Sequence, residues 1–477
     1  MKDRLAVGGK IRALRRHQHL TQTDLAQRVG ISTSYLNLIE HNRRTLGADL
    51  LIRLADVLPI DLKAFSPGHE GQTVTELLEV FGDPMFESLD VITQDVKELA
   101  TVYPAISQAV VRLYTSYRTA RQSTQDLAES LTEEPSKAEA QLARSPSEEV
   151  SDLIQDHMNY FPELEHGAEA LVRDAKLDSE SLFAGLVRYL KHTSGVEVRV
   201  EQTRSMQSAV RSYDPATKVL TLSEVLRRGS RNFQLAYQVG LLTQGHVMDR
   251  ISQDPLLTST ESRAACRIAL ANYFASAVLM PYDTFLAASQ KERYDIELLG
   301  HRFRASFEQT CHRLTTLRKP NAEGIPFHML RVDVAGNMSK RFSASGLRVP
   351  RFSGACPRWN VFGAFLTPGV IHTQLSQMPD GQIFFGVART VRKEGGGFHG
   401  PHPLYAISLG CDISHASKMV YADGLDLRSR QALIPVGPSC RLCERMDCEQ
   451  RAHPPLFNPF QVDENRRGVS FYAPPPR

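Results

Sequence analysis

Three thiols crowd the end of this chain at Cys440-x₂-Cys443-x₄-Cys448, and a fourth, Cys411, lies 29 positions before Cys440. Two cysteines three positions apart can ligate one metal centre from a single turn, and a third close by nearly completes the shell. For zinc this would be a Cys₄ or Cys₃His structural site. For iron and sulfide, four thiolates would hold one cluster. Spacing does not separate the two. His453 and Cys356 compete as fourth ligand, and unligated thiols in a reducing cytoplasm are the plain alternative. Cys266 and Cys311 sit among apolar neighbours at helical spacing and read as core. Arg441, Arg445 and Arg451 flank the cluster, where they could support an anionic centre or simply be solvated.

A second group of chemically suited residues lies near the other end, in LTQTDLAQRVGISTSYLNLIEHNRR (20–44). Leu25, Ala26 and Val29 form the inner face of one helix, Gly30 permits a tight turn, and Ile31 and Leu36 anchor the next helix. Thr21 and Ser32 are placed as N-caps. That arrangement sets Ser32, Thr33, Ser34, Tyr35 and Asn37 at the exposed start of the second helix, the end that enters a major groove. Their hydroxyl and amide groups suit base edges or phosphates. Gln22 could meet a phosphate through its side chain and backbone N–H. Arg43 and Arg44 add affinity that does not depend on sequence. The segment resembles the XRE (Cro/phage-repressor-like) helix-turn-helix family over about 60 residues. The resemblance implies a pair between Arg15 on the first helix and Glu40 at the end of the third. A helical protein-interaction unit is the competing reading.

RNFQLAYQVGLLTQG (231–245) and ALANYFASAVLMP (269–281) resemble the ImmA/IrrE peptidase-like family in their framework of Phe233, Ala236, Ala271, Asn272, Phe274, Ala275, Leu279, Met280 and Pro281. The chemistry departs from it. Where that family carries its first metal-binding His, its general-base Glu and its second His, this chain has Tyr237, Gln238 and Leu241. Where the third, carboxylate ligand should stand are Arg267, Ile268, Ala269 and Leu270. A zinc peptidase needs imidazole and carboxylate ligands and a Glu to activate bound water. The expectation is therefore no peptidase activity, but a peptidase-shaped fold with its cleft free for another ligand. Tyr237 and Gln238 would line that cleft as effector-binding residues, or would merely fill the old site.

These groups need a large scaffold. The 477 residues suggest about three domains. The net charge of +3 hides a segregation: +5 over residues 1–66, −15 over 67–183, and +13 over the rest. With 42% apolar residues and 30 Gly, a wholly disordered or collagen-like chain is excluded. The longest apolar run, Ile268 to Tyr282, is shorter than a membrane span. MKDRLAVGGK lacks the apolar stretch of a signal peptide, so the expectation is a soluble cytoplasmic protein with no membrane partner. Apolar positions recur at helical spacing through residues 6–66, ending near Pro59 and Pro67. They recur again over 73–130 through Leu77, Leu78, Phe81, Leu89, Val96, Leu99, Val110, Val111, Leu113 and Leu127. That second stripe suits either an intrachain hairpin or a second copy of the chain.

Residues 132–149 have the composition of a flexible linker. Helical patterns at 147–193 and 224–315 flank a strand pair, Val196–Thr203 and Lys218–Leu222, with a turn signal at Tyr213-Asp214-Pro215. After Pro320 short β-type runs appear at Phe327–Asp333, Phe384–Thr390, Leu404–Leu409 and Lys418–Ala422, between Gly/Pro-rich turns that include Gly395-Gly396-Gly397. The expected class is mainly α with an α+β C-terminal part. Its domains are an XRE helix-turn-helix (1–66), a helical linker or dimerisation region (67–131), a flexible linker (132–149), a degenerate ImmA/IrrE-like effector domain (150–319) and a Cys-rich, β-containing C-terminal domain (320–477).

This combination, with SFEQTCHRLTTLRKP (306–320), GIPFHMLRVDVAGNMSKRFSASG (324–346), CPRWNVFGAF (356–365) and MVYADGL (419–425), is similar to the short-chain fatty acyl transcriptional regulator family across nearly the whole chain. The resemblance implies a bacterial transcription factor for propionate- or acetate-type carbon metabolism. It implies double-stranded operator DNA as partner and CoA or a short-chain acyl-CoA (propionyl-CoA or acetyl-CoA) as effector, in a homodimer. It also implies a 4Fe–4S cluster on Cys411, Cys440, Cys443 and Cys448, with zinc as the alternative. A redox or iron sensor using the cluster as its signal is the rival function. Operator sequence, acyl chain length and the sign of regulation are not legible.

Overall fold

The computed structural model describes residues 20–40, 67–86, 91–130, 146–177, 181–202, 209–349, 355–393 and 402–454, with isolated positions between them. Arg43, linker residues 132–145, the Gly395–Gly397 turn and the Pro-rich tail lie outside this set. The chain divides into two compact units: residues 1–142 with 348–355 and 437–477, and residues 143–347 with 356–436.

In the first unit, α1 (Gln22–Val29) starts at a capping box in which the Thr21 hydroxyl accepts from the Asp24 N–H and the Asp24 carboxylate accepts from the Thr21 N–H. Gly30 ends it with φ 72°, a left-handed conformation that costs glycine least. Helix α2 (Thr33–Glu40) follows at once. Ile11, Leu25, Ala26, Val29, Leu36, Ile39, Leu50 and Leu54 close a small core around the pair. Helices α3 (Pro67–Phe81), α4 (Thr93–Val102) and α5 (Pro104–Ser130) pack on Val74, Leu77, Val80, Val96, Ala100, Val111 and Tyr114. Of the expected stripe, Leu77, Val96 and Val111 are buried within the chain, while Leu78, Phe81, Leu99 and Val110 are half-buried. Leu89 and Leu113 instead face outward, 54% and 73% exposed. The side chain of Leu127 lies outside the described set.

The second unit opens with α6 (Pro146–Asp156), α7 (Pro162–Asp174) and α8 (Leu182–Ser194). Helix α6 takes in residues 146–149 of the expected linker, because Glu149 is buried and its carboxylate accepts from the Thr258 N–H and hydroxyl. Three strands follow instead of two: β1 (Glu197–Glu201), β2 (Arg211–Asp214) and β3 (Val219–Ser223), in the order β1-β3-β2. The Asp214-Pro215 signal is the turn of a hairpin, with β2 antiparallel to β3. Helices α9 (Arg228–Thr243), α10 (Gly245–Ile251), α11 (Thr260–Leu279), α12 (Tyr282–Lys291), α13 (Ile296–Phe303) and α14 (Phe307–Thr315) come next. A six-stranded sheet then takes β4 (His328–Asp333), β5 (Met338–Ser343), β6 (His372–Gln377), β7 (Ile383–Arg392), β8 (Leu404–Asp412) and β9 (Leu433–Pro435) in the order β5-β4-β8-β7-β6-β9.

The expected strand at Lys418–Ala422 is a pair of 3₁₀ turns, Ile413–Lys418 and Val420–Ala422. Ala416, Met419 and Ala422 are all buried, so burial repeats every third residue as three residues per turn requires. One hydrophobic core runs through this whole unit. It joins Leu235, Ala271, Phe274 and Leu314 of the helices to Phe327, Phe385, Ile407 and Leu409 of the sheet. Among the described residues no single helix is long and apolar enough to cross a membrane.

Candidate functional site

The helix-turn-helix is set by polar bonds as well as by its core. Arg15 donates through two nitrogens to the Glu40 carboxylate, at 2.7 and 3.0 Å, and the pair is buried. A third bond, to the Leu20 carbonyl at 2.8 Å, fixes the chain entering α1. Gln22 donates to Glu40 at 2.7 Å and accepts from Asn37 at 3.4 Å, so it couples the start of α1 to the exposed face of α2. Its side chain is thus spoken for by protein groups, and its backbone N–H, at the first helical position, is the part left to meet a phosphate. The Ser32 hydroxyl accepts from the Tyr35 N–H at 3.1 Å, capping α2. Ser32, Thr33, Ser34 and Asn37 are exposed along one end of that helix. Tyr35 leans into the core, with the exposed Arg44 guanidinium 5.9 Å from its ring centre.

At the peptidase-like helix pair, Tyr237 and Gln238 meet a cation that the sequence did not reveal. Helices α9 and α11 cross closely at Gly240, where a β-carbon would come within 2.7 Å of the Phe274 ring. Ala236, Ala271, Phe274 and Ala275 are fully buried in that crossing, as the framework requires. Tyr237 and Gln238 are also buried, and over them lies Arg211 from β2. Its guanidinium sits 4.2 Å from the Tyr237 ring centre and donates to the Gln238 amide oxygen at 2.5 Å. Burial lowers the Arg211 pKa and raises that of the Tyr237 hydroxyl. Arg211 has no carboxylate partner among the described residues. Arg267 pairs with Asp249 of α10, and Ile268 is exposed. A phenol, an amide and the Leu241 side chain therefore stand at the first-ligand, base and second-ligand positions, and the Arg211 guanidinium lies against the first two. The signal for Arg211 was alternation: Arg211 and Tyr213 are half-buried while Ser212 and Asp214 are exposed.

Behind the cleft, Arg313 of α14 donates to both oxygens of Glu165 at 2.5 and 2.9 Å and to the Met280 carbonyl at 2.9 Å. Tyr273 adds a bond to Glu165 at 2.6 Å. Burial opposes the Arg313 charge, but the adjacent carboxylate outweighs it and holds its pKa above the ordinary value. This group ties α7, α11 and α14 together.

Cys411 lies on β8 opposite Phe385, fully buried, with its sulfur 3.8 Å from that of Met419. Burial pushes its thiol up to about 12. Cys440, Cys443 and Cys448 lie in a turn-rich segment organised by Arg451. That side chain is not solvated: it donates to the carbonyls of Cys440 and Cys443 at 2.6 Å and of Arg445 at 2.5 Å. Cys443 is buried and its thiol is raised by that burial. None of the cysteines is joined in a disulfide, and Cys266 and Cys311 are fully buried core residues. Among the described residues no three His, Cys, Asp or Glu side chains stand together at metal-holding distance. The donor set suits a thiolate-bound centre chemically.

A helix-turn-helix joined to a peptidase-like domain with Tyr237, Gln238 and Leu241 at its ligand and base positions is the make-up of a DNA-binding transcriptional regulator. Comparison with known proteins agrees. Residues 11–65 match a helix-turn-helix family, 192–315 the IrrE N-terminal-like domain, and 316–472 the short-chain fatty acyl coenzyme A regulator C-terminal family. The chain is 38% identical to the propionyl-CoA carboxylase regulator of Cereibacter sphaeroides over 99% of each chain. It is equally similar, at 38%, to two regulators of Mycobacterium tuberculosis: RamB, over 98% of each chain, and PrpR, over 96% of this chain and 93% of that one. A solved Mycobacterium tuberculosis transcriptional regulator, 41% identical, superposes with a TM-score of 0.66 over 69% of this chain and 99% of its own. The chain belongs to the short-chain fatty acyl coenzyme A regulator family.

Proposed function

We propose that this chain is a cytoplasmic, homodimeric transcription factor whose DNA affinity is set by a short-chain acyl-CoA, propionyl-CoA or acetyl-CoA, and which controls genes of propionate- or acetate-type carbon metabolism. The observation that carries this reading is Arg211 over Tyr237 and Gln238: a cation without a carboxylate partner among the described residues, at the positions where the peptidase family keeps its first ligand and its base. Arg211 is the donor for the thioester carbonyl, Tyr237 the face beneath it, and Gln238 the acceptor that Arg211 leaves when ligand arrives. Ser32, Thr33, Ser34 and Asn37 read bases, with Tyr35, Gln22 and Arg44 supporting them on the backbone.

The second copy is met through α5. Ile106, Val110, Leu113 and Tyr117 follow one another at alternating gaps of four and three residues, the seam of a coiled coil. Ile106, Leu113 and Tyr117 are 53%, 73% and 39% exposed, although all are large and apolar. Pairing two heads there matches the two-fold symmetry of a palindromic operator. Cys411, Cys440, Cys443 and Cys448 are the proposed ligands of a 4Fe–4S cluster, with zinc the alternative. What supports this is an all-thiol donor set free of disulfides and a cysteine loop braced by Arg451. Bound there, such a centre would be held by soft thiolate ligands.

Titration calorimetry of anaerobically purified protein with CoA, acetyl-CoA, propionyl-CoA and the free acids tests the proposal, alongside gel-shift assays on operator DNA. Saturable binding of thioesters that changes DNA affinity is the expected result. Thioesters without effect, set against DNA affinity that follows cluster oxidation, would replace the metabolite reading with redox sensing.

A further inference from the structure

Away from the cleft, three cations converge on one carboxylate. Glu308 of α14 accepts from Arg331 of β4 at 2.9 Å, Lys340 of β5 at 3.0 Å and Lys393, just past β7, at 2.5 Å. The Glu308 side chain is 7% exposed, and its pKa is driven down by these neighbours against the effect of burial. One cation balances Glu308; two are in surplus. His312, one turn along α14, is held neutral by burial and adds no charge.

This arrangement is a poor one for stability alone. Arg331 and Lys340 face each other directly across the β4–β5 ladder, and like charges in that position destabilise a sheet. Arg331 is nevertheless fixed: its Nε donates to the Ser339 hydroxyl at 2.7 Å, and its guanidinium lies 4.9 Å from the Tyr405 ring centre. Lys340 and Lys393 keep 43% and 48% of their side chains exposed. Among the described residues Glu308 is the one hydrogen-bond partner of each ammonium, and burial lowers the Lys340 pKa against the pull of that carboxylate.

We infer that Lys340, Lys393 and Arg331 form a phosphate-binding site, whose ligand is the phosphorylated end of an organic effector. Two ammonium groups brought together by one carboxylate can bracket a phosphate, which is similar in size and more highly charged, and a fixed guanidinium matches its oxygens. Glu308 acts as the post that holds the three cations in place. This rests on the acyl-CoA reading for the identity of the ligand, but the anion chemistry follows from the cluster itself.

The test is calorimetry with propionyl-CoA, S-propionyl pantetheine (which lacks phosphate), adenosine 3′,5′-bisphosphate and inorganic phosphate. It compares wild type with the double variant Lys340→Gln/Lys393→Gln and the charge-preserving Lys340→Arg/Lys393→Arg. Arg331 and Glu308 are left in place, and thermal melts report folding. Wild type is expected to bind propionyl-CoA at least ~10-fold more tightly than the pantetheine thioester. The Gln variant should abolish that difference and loosen the bisphosphate by a similar factor, while the Arg variant restores both. A folded Gln variant that keeps the wild-type ratio would overturn the site, as would binding confined to inorganic phosphate in all three proteins. Loss of operator affinity with unchanged small-ligand binding would also overturn it, by assigning the lysines to DNA. The acyl-CoA reading fails separately, if adenosine bisphosphate binds here but no thioester alters DNA affinity.

Discussion

Arg211 is the residue on which the proposed effector chemistry rests. A metal site would present a divalent ion; here a single guanidinium stands on an aromatic face, hydrogen-bonded to an amide. Arg211→Gln should weaken propionyl-CoA binding about 10-fold, or about 1.4 kcal/mol, without loss of fold, and calorimetry beside a thermal melt reads both. In the DNA head, Asn37→Ala should relax base preference at one operator position by about 1–3 kcal/mol. Arg44→Ala should instead weaken all sequences alike and lower the salt dependence of binding by about one counterion. Fluorescence anisotropy at several salt concentrations separates the two. Histidines give a pH signature. Burial holds His312 and His328 at about 3, so the folded chain keeps both neutral while the unfolded chain takes up protons below about pH 6.5. Their contribution to stability is complete above that pH and is lost as pH falls toward 3. Each should cost about 1.4 kcal/mol at pH 5.5, and His328→Gln should show a shallower fall in melting temperature between pH 7.5 and 5.5.

At the scale of elements, sequence patterns were most legible where local chemistry and packing agree. Thr21, Gly30 and Ser32 place the turn of the DNA head without any tertiary information, because caps and a left-handed glycine act within a few residues. The Arg15–Glu40 pair came from family likeness, since nothing local joins residues so far apart in the chain. Arg211 was hidden because β2 is a short half-buried strand whose end carries a turn signal; the pattern was spent on the turn. The 3₁₀ turns at 413–422 were hidden because a three-residue period over so short a stretch passes for alternation. The apolar stripe of residues 73–130 is buried at some positions and exposed at others. Leu77 and Val111 close the intrachain core, and Leu113 projects from it. Leu113→Glu should shift the protein toward monomer in sedimentation velocity and weaken operator binding together with it, leaving the helical content by circular dichroism intact. A variant still dimeric would move the interface elsewhere.

Across the molecule, a buried ion pair carries part of the stability. Arg313→Met would strand the buried Glu165 carboxylate and should destabilise the second unit by about 3–5 kcal/mol, seen as a lower urea midpoint. Anaerobic absorbance spectra with iron and zinc analysis address the thiols: a brown protein with about four irons per chain is expected. A colourless, zinc-loaded one would reassign the centre. Cys443→Ser should lower metal content whichever ion is bound.

The single core joining the peptidase-like helices to the six-stranded sheet bears on how such a gene can be cut and rejoined. Two family descriptions meet at residues 315 and 316, yet Leu314 and Phe327 belong to the same packed interior. A chimaera spliced at that border with a relative's C-terminal half would have to match one continuous jigsaw of side chains from two ancestries. Exchanging the halves to re-specify the effector should yield insoluble protein, whereas grafting the helix-turn-helix alone leaves that interior whole. The border between the two matched segments runs through one packed interior, and the mechanical piece is larger than either segment.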